Sequence, residues 1–360
     1  MQSAHFFVPG KLSRATGGSI YDRRIVAGLR AKGWDITVHE CAGDWPMAAS
    51  ADRADLAARL DGVEAGSLCV VDGLIFGAIP ELAGAHAARL SLVALVHHPL
   101  CDEGGMGAAQ ADSLFASERE ALTHAARIIA PSDFTARRLK DFDVSDGRLW
   151  RVPPGTDPAP LAEGTAEGTA EGTAEDAPLR LFCAASLTPR KGHLDLVHAL
   201  GTLTDLPWQL DCAGSRMLAP DHARAVQALI DELGLGRRIC LHGEVAVDRL
   251  NAFYQASDLF VLASHYEGYG MVISEAVAHG LPVVTTTGGA LADTLPKGAG
   301  LAVPPSNPEA LAVALRLAIG YPSCRAALTK AARAARDRLP DWTAQAECFA
   351  ESLGLEERLD

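Results

Sequence analysis

The sequence has no excess of positive charge, no paired cysteines and no apolar run long enough to cross a bilayer. Each absence removes a class of function. Against 45 acidic residues stand 32 lysines and arginines, for a net charge of −13, so there is no basic field to attract nucleic acid or an anionic membrane surface. The 8 cysteines fall singly, and Cys69, Cys183, Cys212 and Cys240 sit in strand-like runs. This reads as reduced core thiols, because a metal site or disulfide framework calls for clustered spacing. The run LSLVALV is too short for a membrane span, and the start MQSAHFFVPG lacks a basic segment followed by a long apolar one. A soluble, cytoplasmic protein without stable membrane insertion is expected. Also missing are G-x-x-x-x-G-K-[ST] and a G-x-G-x-x-G after the first strand, so kinase and dehydrogenase readings lose their main support. The string Asp141-Phe142-Asp143 belongs to a polar turn of the first half and is set aside as a metal site. No metal and no other cofactor is expected.

What is present is length and alternation. At 360 residues and 48% hydrophobic content, the chain can build two cores. Strand-like runs HFFVP, WDITVHE, SLCVVDGLIF, SLVALVHH and ARIIAPS alternate with helical stretches such as IYDRRIVAGLRAKG. The pattern restarts after residue 178 with LRLFCAAS, WQLDCAGS, RICLHGEV, DLFVLAS and PVVTTT. Such alternation predicts α/β architecture with parallel sheets in two halves. Residues 1–157 form the first expected domain and 178–338 the second. Between them, 158–177 holds the repeat EGTAEGTAEGTAE, which has no side chain large enough for a core and is expected to be a solvated linker. Residues 339–360 read as a C-terminal helix that either extends the second domain or crosses to the first.

The chemistry concentrates in residues 258–289, DLFVLASHYEGYGMVISEAVAHGLPVVTTTGG. An apolar strand ends at Ser264, a turn carries Glu267, Gly268 and Gly270, and a helix containing Glu275 stops at Gly280 before Pro282. Open parallel sheets bind ligands at this carboxyl edge. The N–H groups of Gly270, Met271 and Val272, together with the helix dipole, could hold a diphosphate. The two carboxylates could accept hydrogen bonds from sugar and ribose hydroxyls, although glutamates near a helix start also serve as caps.

The combination E-G-x-G, a second Glu eight residues after the first, and A-x-x-x-G-x-P-V-V before Gly-Gly resembles the retaining glycosyltransferases of family 4. That resemblance implies the GT-B fold, two Rossmann-like domains facing across a cleft, and no metal. It places Glu267 on the donor sugar and Glu275 on the nucleotide ribose. The stretch ASLTPRKGHLDLV, residues 185–197, is similar to the family's phosphate-clamping turn. There Lys191 and Arg190 would neutralise charge growing on the leaving diphosphate. The relatives' arginine five residues before the lysine is replaced by Ser186, and Arg190 is the candidate substitute. Gly17 and Gly18, which open a helix, look like the family's first-domain glycine loop over the donor. His97, or alternatively His98, stands where the family has a histidine near the donor sugar. Asp102 and Glu103 in the following CDEGGMG are candidate acceptor contacts. Gly288, Gly289 and Asp293 resemble a glycine–glycine–acid segment of the donor pocket, with Asp in place of Glu.

The resemblance therefore implies a metal-independent hexosyltransferase (EC 2.4) that moves a sugar from a nucleoside diphosphate, UDP being the commonest in the family, to a small soluble or glycan acceptor. Other GT-B chemistry, a nucleotide-sugar epimerase or a phosphorylase, is the first rival. A non-catalytic nucleotide-sugar sensor is the second, and oligomeric state stays open.

Overall fold

A computed structural model describes residues 2–164 and 177–354. The chain divides into two compact units, one running to Gly155 and resuming at Pro340, the other Thr156–Leu339. The sheet of the first unit is built from β1 (Ser3–Pro9), β2 (Asp35–Cys41), β3 (Leu68–Asp72), β4 (Ser91–Leu95), β5 (Arg127–Ala130) and β6 (Leu149–Arg151). They lie in the order β2-β1-β3-β4-β5-β6 and all pair in parallel. Helices cover both faces of such a sheet, so its central strands are apolar throughout instead of alternating. Val70, Val71, Leu92, Val93, Ala94, Ile128 and Ile129 are all buried. The run GLIF, expected to continue β3, is a helical turn (Gly73–Phe76) instead, because Asp72 Oδ1 accepts the Leu74 N–H at 2.7 Å and caps it.

The second unit repeats the design with β7 (Leu179–Ala184), β8 (Trp208–Ala213), β9 (Ile239–Gly243), β10 (Leu259–Leu262), β11 (Val283–Thr286) and β12 (Gly300–Val303). Their order is β12-β11-β10-β7-β8-β9. In each sheet the strand order reverses once, between β1 and β3 and between β7 and β10. Chain crossovers leave to opposite sides at these points, opening a crevice at the carboxyl ends of the two strands.

Cys69, Cys183 and Cys212 are buried, but Cys240 is exposed, which corrects its reading as a core thiol. β9 is an edge strand, and its alternate residues face outward. All 8 cysteines are free thiols.

The C-terminal region divides. Helix Pro322–Ala335 belongs to the second unit. Helix Trp342–Leu353 packs on helix Gly17–Ala31 of the first, where a Cβ on Gly28 would stand 2.4 Å from that of Ala346 and Phe349 meets Phe6. Of the expected linker, residues 165–176 lie outside the described residues. The preceding stretch is held to the second unit by Ala162 N–H to His279 O and Glu163 N–H to Gln255 O, both 2.8 Å.

No single helix among the described residues is long and apolar enough to cross a membrane. The bent pair formed by Pro308–Gly320 and the following helix passes on length and composition, yet Leu311, Leu315 and Ile319 are buried in the second unit's core.

Candidate functional site

In the second unit the strand-order reversal brings together the Lys191 turn after β7 and the Glu267 turn after β10. The Glu267 carboxylate accepts from Lys191 Nζ at 2.5 Å, from an Arg190 guanidinium nitrogen at 3.0 Å and from the Ser264 hydroxyl at 2.7 Å. Only 7% of Glu267 is exposed. Burial pushes its pKa up, but the charges of Lys191 and Arg190 and the bonds from Lys191 and Ser264 outweigh that and hold it at about 2. One anion between two cations leaves the turn net positive. Arg190 also donates to Tyr266 O at 2.8 Å, which ties the two turns together.

Backbone geometry makes this approach possible. Gly192 has φ +64°, and a Cβ there would lie 2.0 Å from the Ala263 carbonyl oxygen, so only glycine lets the Lys191 turn meet the end of β10. A Cβ on Gly289, at φ +64°, would stand 2.2 Å from Glu267 O, and the neighbouring Ala290 N–H donates to that oxygen at 2.8 Å. Asp293 stands in the short helix Leu291–Thr294 that follows. Ser186 lies in the loop after β7, where its carbonyl accepts from Thr188 N at 2.8 Å, and it brings no charge to the turn.

Helix Met271–Ala278 starts directly after Gly270. The first N–H groups of a helix have no partner within it, so Met271 and Val272 present donors at its positive end. One turn further on, Glu275 Oε2 accepts from the Tyr254 hydroxyl at 2.9 Å. Burial raises the Glu275 pKa, partly opposed by that bond. Tyr254 was not identified from the sequence; an aromatic in a helix ahead of β10 reads only as core.

The first unit carries a separate cluster around His97. Following β4, its Nε2 lies 3.0 Å from Asp22 Oδ1 and 3.4 Å from Asp72 Oδ2. Burial pulls the imidazole pKa down, but the charges and hydrogen bonds of the two carboxylates win and raise it to about 10. The Asp22 carboxyl is raised by burial. The ring also lies over the start of helix Gly17–Ala31, with Cδ2 3.2 Å from where a Cβ on Gly18 would stand, whereas Gly17 faces open space. Asp72 ends a central strand, the same signal that singles out His97; Asp22 lies within a helix and carries no such mark.

His98 turns the other way and pairs with Glu103 at 2.9 Å. They border a pocket of about 90 Å3 whose apolar lining includes Met47, Leu100, Met106 and Leu114. Asp102 is gripped by Arg138 through two 3.0 Å bonds. Nearby, Glu118 is fully buried; its Oε2 accepts from Leu100 N–H at 2.8 Å and its Oε1 has no partner. Burial pushes its pKa up to about 8. Asp141 and Asp143 pair with Arg138 and Arg119 in a surface turn.

Among the described residues three groups have ligand atoms close enough for a metal ion: Asp22–Asp72–His97, Cys183–His193–Cys212 and Asp211–Cys240–His242. None shows in the sequence spacing.

Residues 169–335 match the family described as Glycosyl transferases group 1. A D-inositol 3-phosphate glycosyltransferase of Xylanimonas cellulosilytica is 32% identical over 239 residues, covering 64% of this chain and 54% of that protein. One from Kineococcus radiotolerans is 30% identical over 255 residues, covering 65% and 58%. The chain spans about half the length of the curated relatives it matches. Among solved structures, sucrose-phosphate synthase from Thermosynechococcus elongatus superposes with a TM-score of 0.78 at 23% identity over 98% of both chains. Anabaena HepE, solved with UDP-glucose, gives 0.78 at 17% identity over 98% of this chain and 99% of its own. At these identities the likeness establishes the fold, which is GT-B.

Proposed function

We propose that the chain, whose residues 169–335 match the group 1 glycosyltransferases, moves a sugar from a nucleoside diphosphate, UDP, to a hydroxyl of a small soluble or glycan acceptor. The configuration at the anomeric carbon is kept, and no metal takes part in the chemistry. The observation that carries this reading is the convergence of Lys191 and Arg190 on Glu267 at the strand-order reversal between β7 and β10. As the glycosidic bond breaks, negative charge grows on the diphosphate. Two fixed cations and the positive end of helix Met271–Ala278 supply the stabilisation a metal would otherwise give.

Glu267 is a poor covalent nucleophile here, because three donors occupy its carboxylate and hold it strongly ionised. That favours a same-face displacement in which the leaving phosphate helps deprotonate the acceptor. Glu275 takes a ribose hydroxyl. The UDP assignment is supported by HepE, whose structure holds UDP-glucose.

A thermal-shift panel of UDP, GDP, ADP, TDP and CDP, each with and without magnesium, tests the reading. UDP is expected to raise the melting temperature without magnesium, and Glu275→Ala to abolish the shift. No nucleotide effect, or one that survives the substitution, removes the assignment. Ser186, standing where the family resemblance implies an arginine, favours a second reading, a nucleotide-sugar sensor. Turnover of UDP-sugar with a product whose anomeric proton coupling matches the donor excludes it, whereas tight binding without turnover supports it.

A further inference from the structure

Behind the Lys191 turn, on the core side of the same sheet, three potential ligands converge that play no part in sugar transfer. Cys183 in β7 and Cys212 in β8 are register partners on adjacent parallel strands, so their side chains project from the same face. His193 opens helix His193–Gly201, two residues after Lys191. Cys183 is 1% exposed, His193 1% and Cys212 2%.

The three ligand atoms lie within 4.8 Å of one another, and Cys183 Sγ is 3.9 Å from His193 Nε2. With zinc–sulfur bonds of about 2.3 Å and zinc–nitrogen bonds of about 2.0–2.1 Å, a sulfur and a nitrogen on one tetrahedral ion stand about 3.6 Å apart, a little more in a trigonal one. The Cys183–His193 spacing needs only a few tenths of an ångström of closure, and Cys212 Sγ lies within 4.8 Å of both ligand atoms. Hydrogen bonding alone does not account for the histidine: Nε2 faces a thiol at a distance where the bond is weak, and Nδ1 is buried with no partner. An imidazole buried on those terms is costly.

We propose that Cys183, Cys212 and His193 form a site for a thiophilic d10 metal ion, Zn2+ or Cu+. Two thiolates with one imidazole suit this class, and carboxylate-seeking ions such as Mg2+ are excluded by the absence of oxygen ligands. On binding, each thiol releases its proton to solvent. Two metal–sulfur bonds and one metal–nitrogen bond form, with no change of oxidation state. The ion cross-links β7, β8 and the start of the helix that follows the Lys191 turn. Its role is to brace that turn, apart from the chemistry.

Asp211–Cys240–His242 makes a natural control. There Nε2 faces Asp211 at 2.6 Å and Nδ1 has Arg249 at 3.4 Å besides Cys240 at 3.7 Å, so both ring nitrogens of the histidine already have partners.

The test titrates the reduced, metal-stripped full chain anaerobically with Co2+. A sulfur-to-cobalt charge-transfer band is expected to saturate at one equivalent and to be bleached by Zn2+. It should persist in Cys240→Ser and vanish in Cys183→Ala and Cys212→Ala, and Zn2+ should raise the melting temperature only of the proteins that show it. Retention of one equivalent of Cu+ against a chelator, with no cobalt band, assigns the monovalent ion. Should the core variants fail to fold, X-ray absorption on the metal-loaded wild type decides, with two sulfurs and one nitrogen expected around the ion. Failure of the folded wild type to retain Zn2+, Co2+ or Cu+ at one equivalent overturns the proposal, as does a site that survives loss of both cysteines.

Discussion

The Tyr254 hydroxyl donates a 2.9 Å hydrogen bond to Glu275 Oε2 from the helix that precedes β10. Tyr254 is itself buried, with its ring against Phe182, Phe260 and His279. The carboxylate proposed to hold the ribose is thus aimed by a side chain of the core, whose bond partly opposes the rise in its pKa caused by burial.

Tyr254→Phe removes that donor while keeping the ring. Losing one such hydrogen bond costs roughly 0.5–1.5 kcal/mol, part of it in stability and part in nucleotide affinity. UDP affinity is expected to fall by up to about five-fold at neutral pH, with greater loss below it as Glu275 protonates more readily. Calorimetry across pH measures this, and unchanged affinity with an unchanged pH profile would separate Tyr254 from the site.

Glu267 predicts an acid limb. Its folded pKa of about 2 lies below the ordinary 4.5, so the pair's stabilisation is fully present above 4.5 and is lost as pH falls toward 2. A shift of that size corresponds to roughly 3 kcal/mol. Urea midpoints of the wild type should drop through this window, and those of Glu267→Gln should lack that component. Parallel pH curves would refute the coupling to Lys191 and Arg190.

His97 predicts an alkaline limb with the opposite sign. Its folded pKa of about 10 lies above the ordinary 6.5, so the stabilisation is complete below 6.5 and disappears as pH rises through 10. The imidazole proton shift in NMR should report a charged ring at pH 8. Asp22→Asn should bring its titration back toward neutrality. A wild-type ring that titrates near 6.5 contradicts the arrangement.

Glu118 is raised to about 8 from 4.5 by burial. The folded protein therefore binds the proton more tightly, and stability falls as pH rises between those values. Glu118→Gln keeps an acceptor for Leu100 N–H and removes the buried charge. Its melting temperature is expected to exceed the wild type's by several degrees at pH 8.5 and to match it near pH 5. A lower value at pH 8.5 would mean that the ionised carboxylate has a stabilising partner.

The strands and turns around the site were legible because they depend on neighbours in sequence. Continuous apolar runs such as SLVAL and DLFVL can only be buried parallel strands when helical segments separate them. The glycines around Glu267 mark the turn that follows one. GLIF misled because its apolar letters fit a strand, whereas the cap from Asp72 is a side-chain event. Cys240 misled because a strand-like run does not reveal whether its strand is at an edge.

By itself the sequence determined the α/β alternation, the two halves, and the turn-and-helix segments that carry Lys191, Glu267 and Glu275. These follow from periodicity and turn chemistry over a few residues. The tertiary structure alone decided that Asp22 and Asp72 converge on His97, that Tyr254 reaches Glu275, that Cys183 and Cys212 lie side by side below His193, and that helix Trp342–Leu353 packs on Gly17–Ala31. Adjacent parallel strands are joined through a crossover, which sets a few dozen residues between side chains that touch. Spacing along the chain then carries no measure of distance, and only strand order and register supply it.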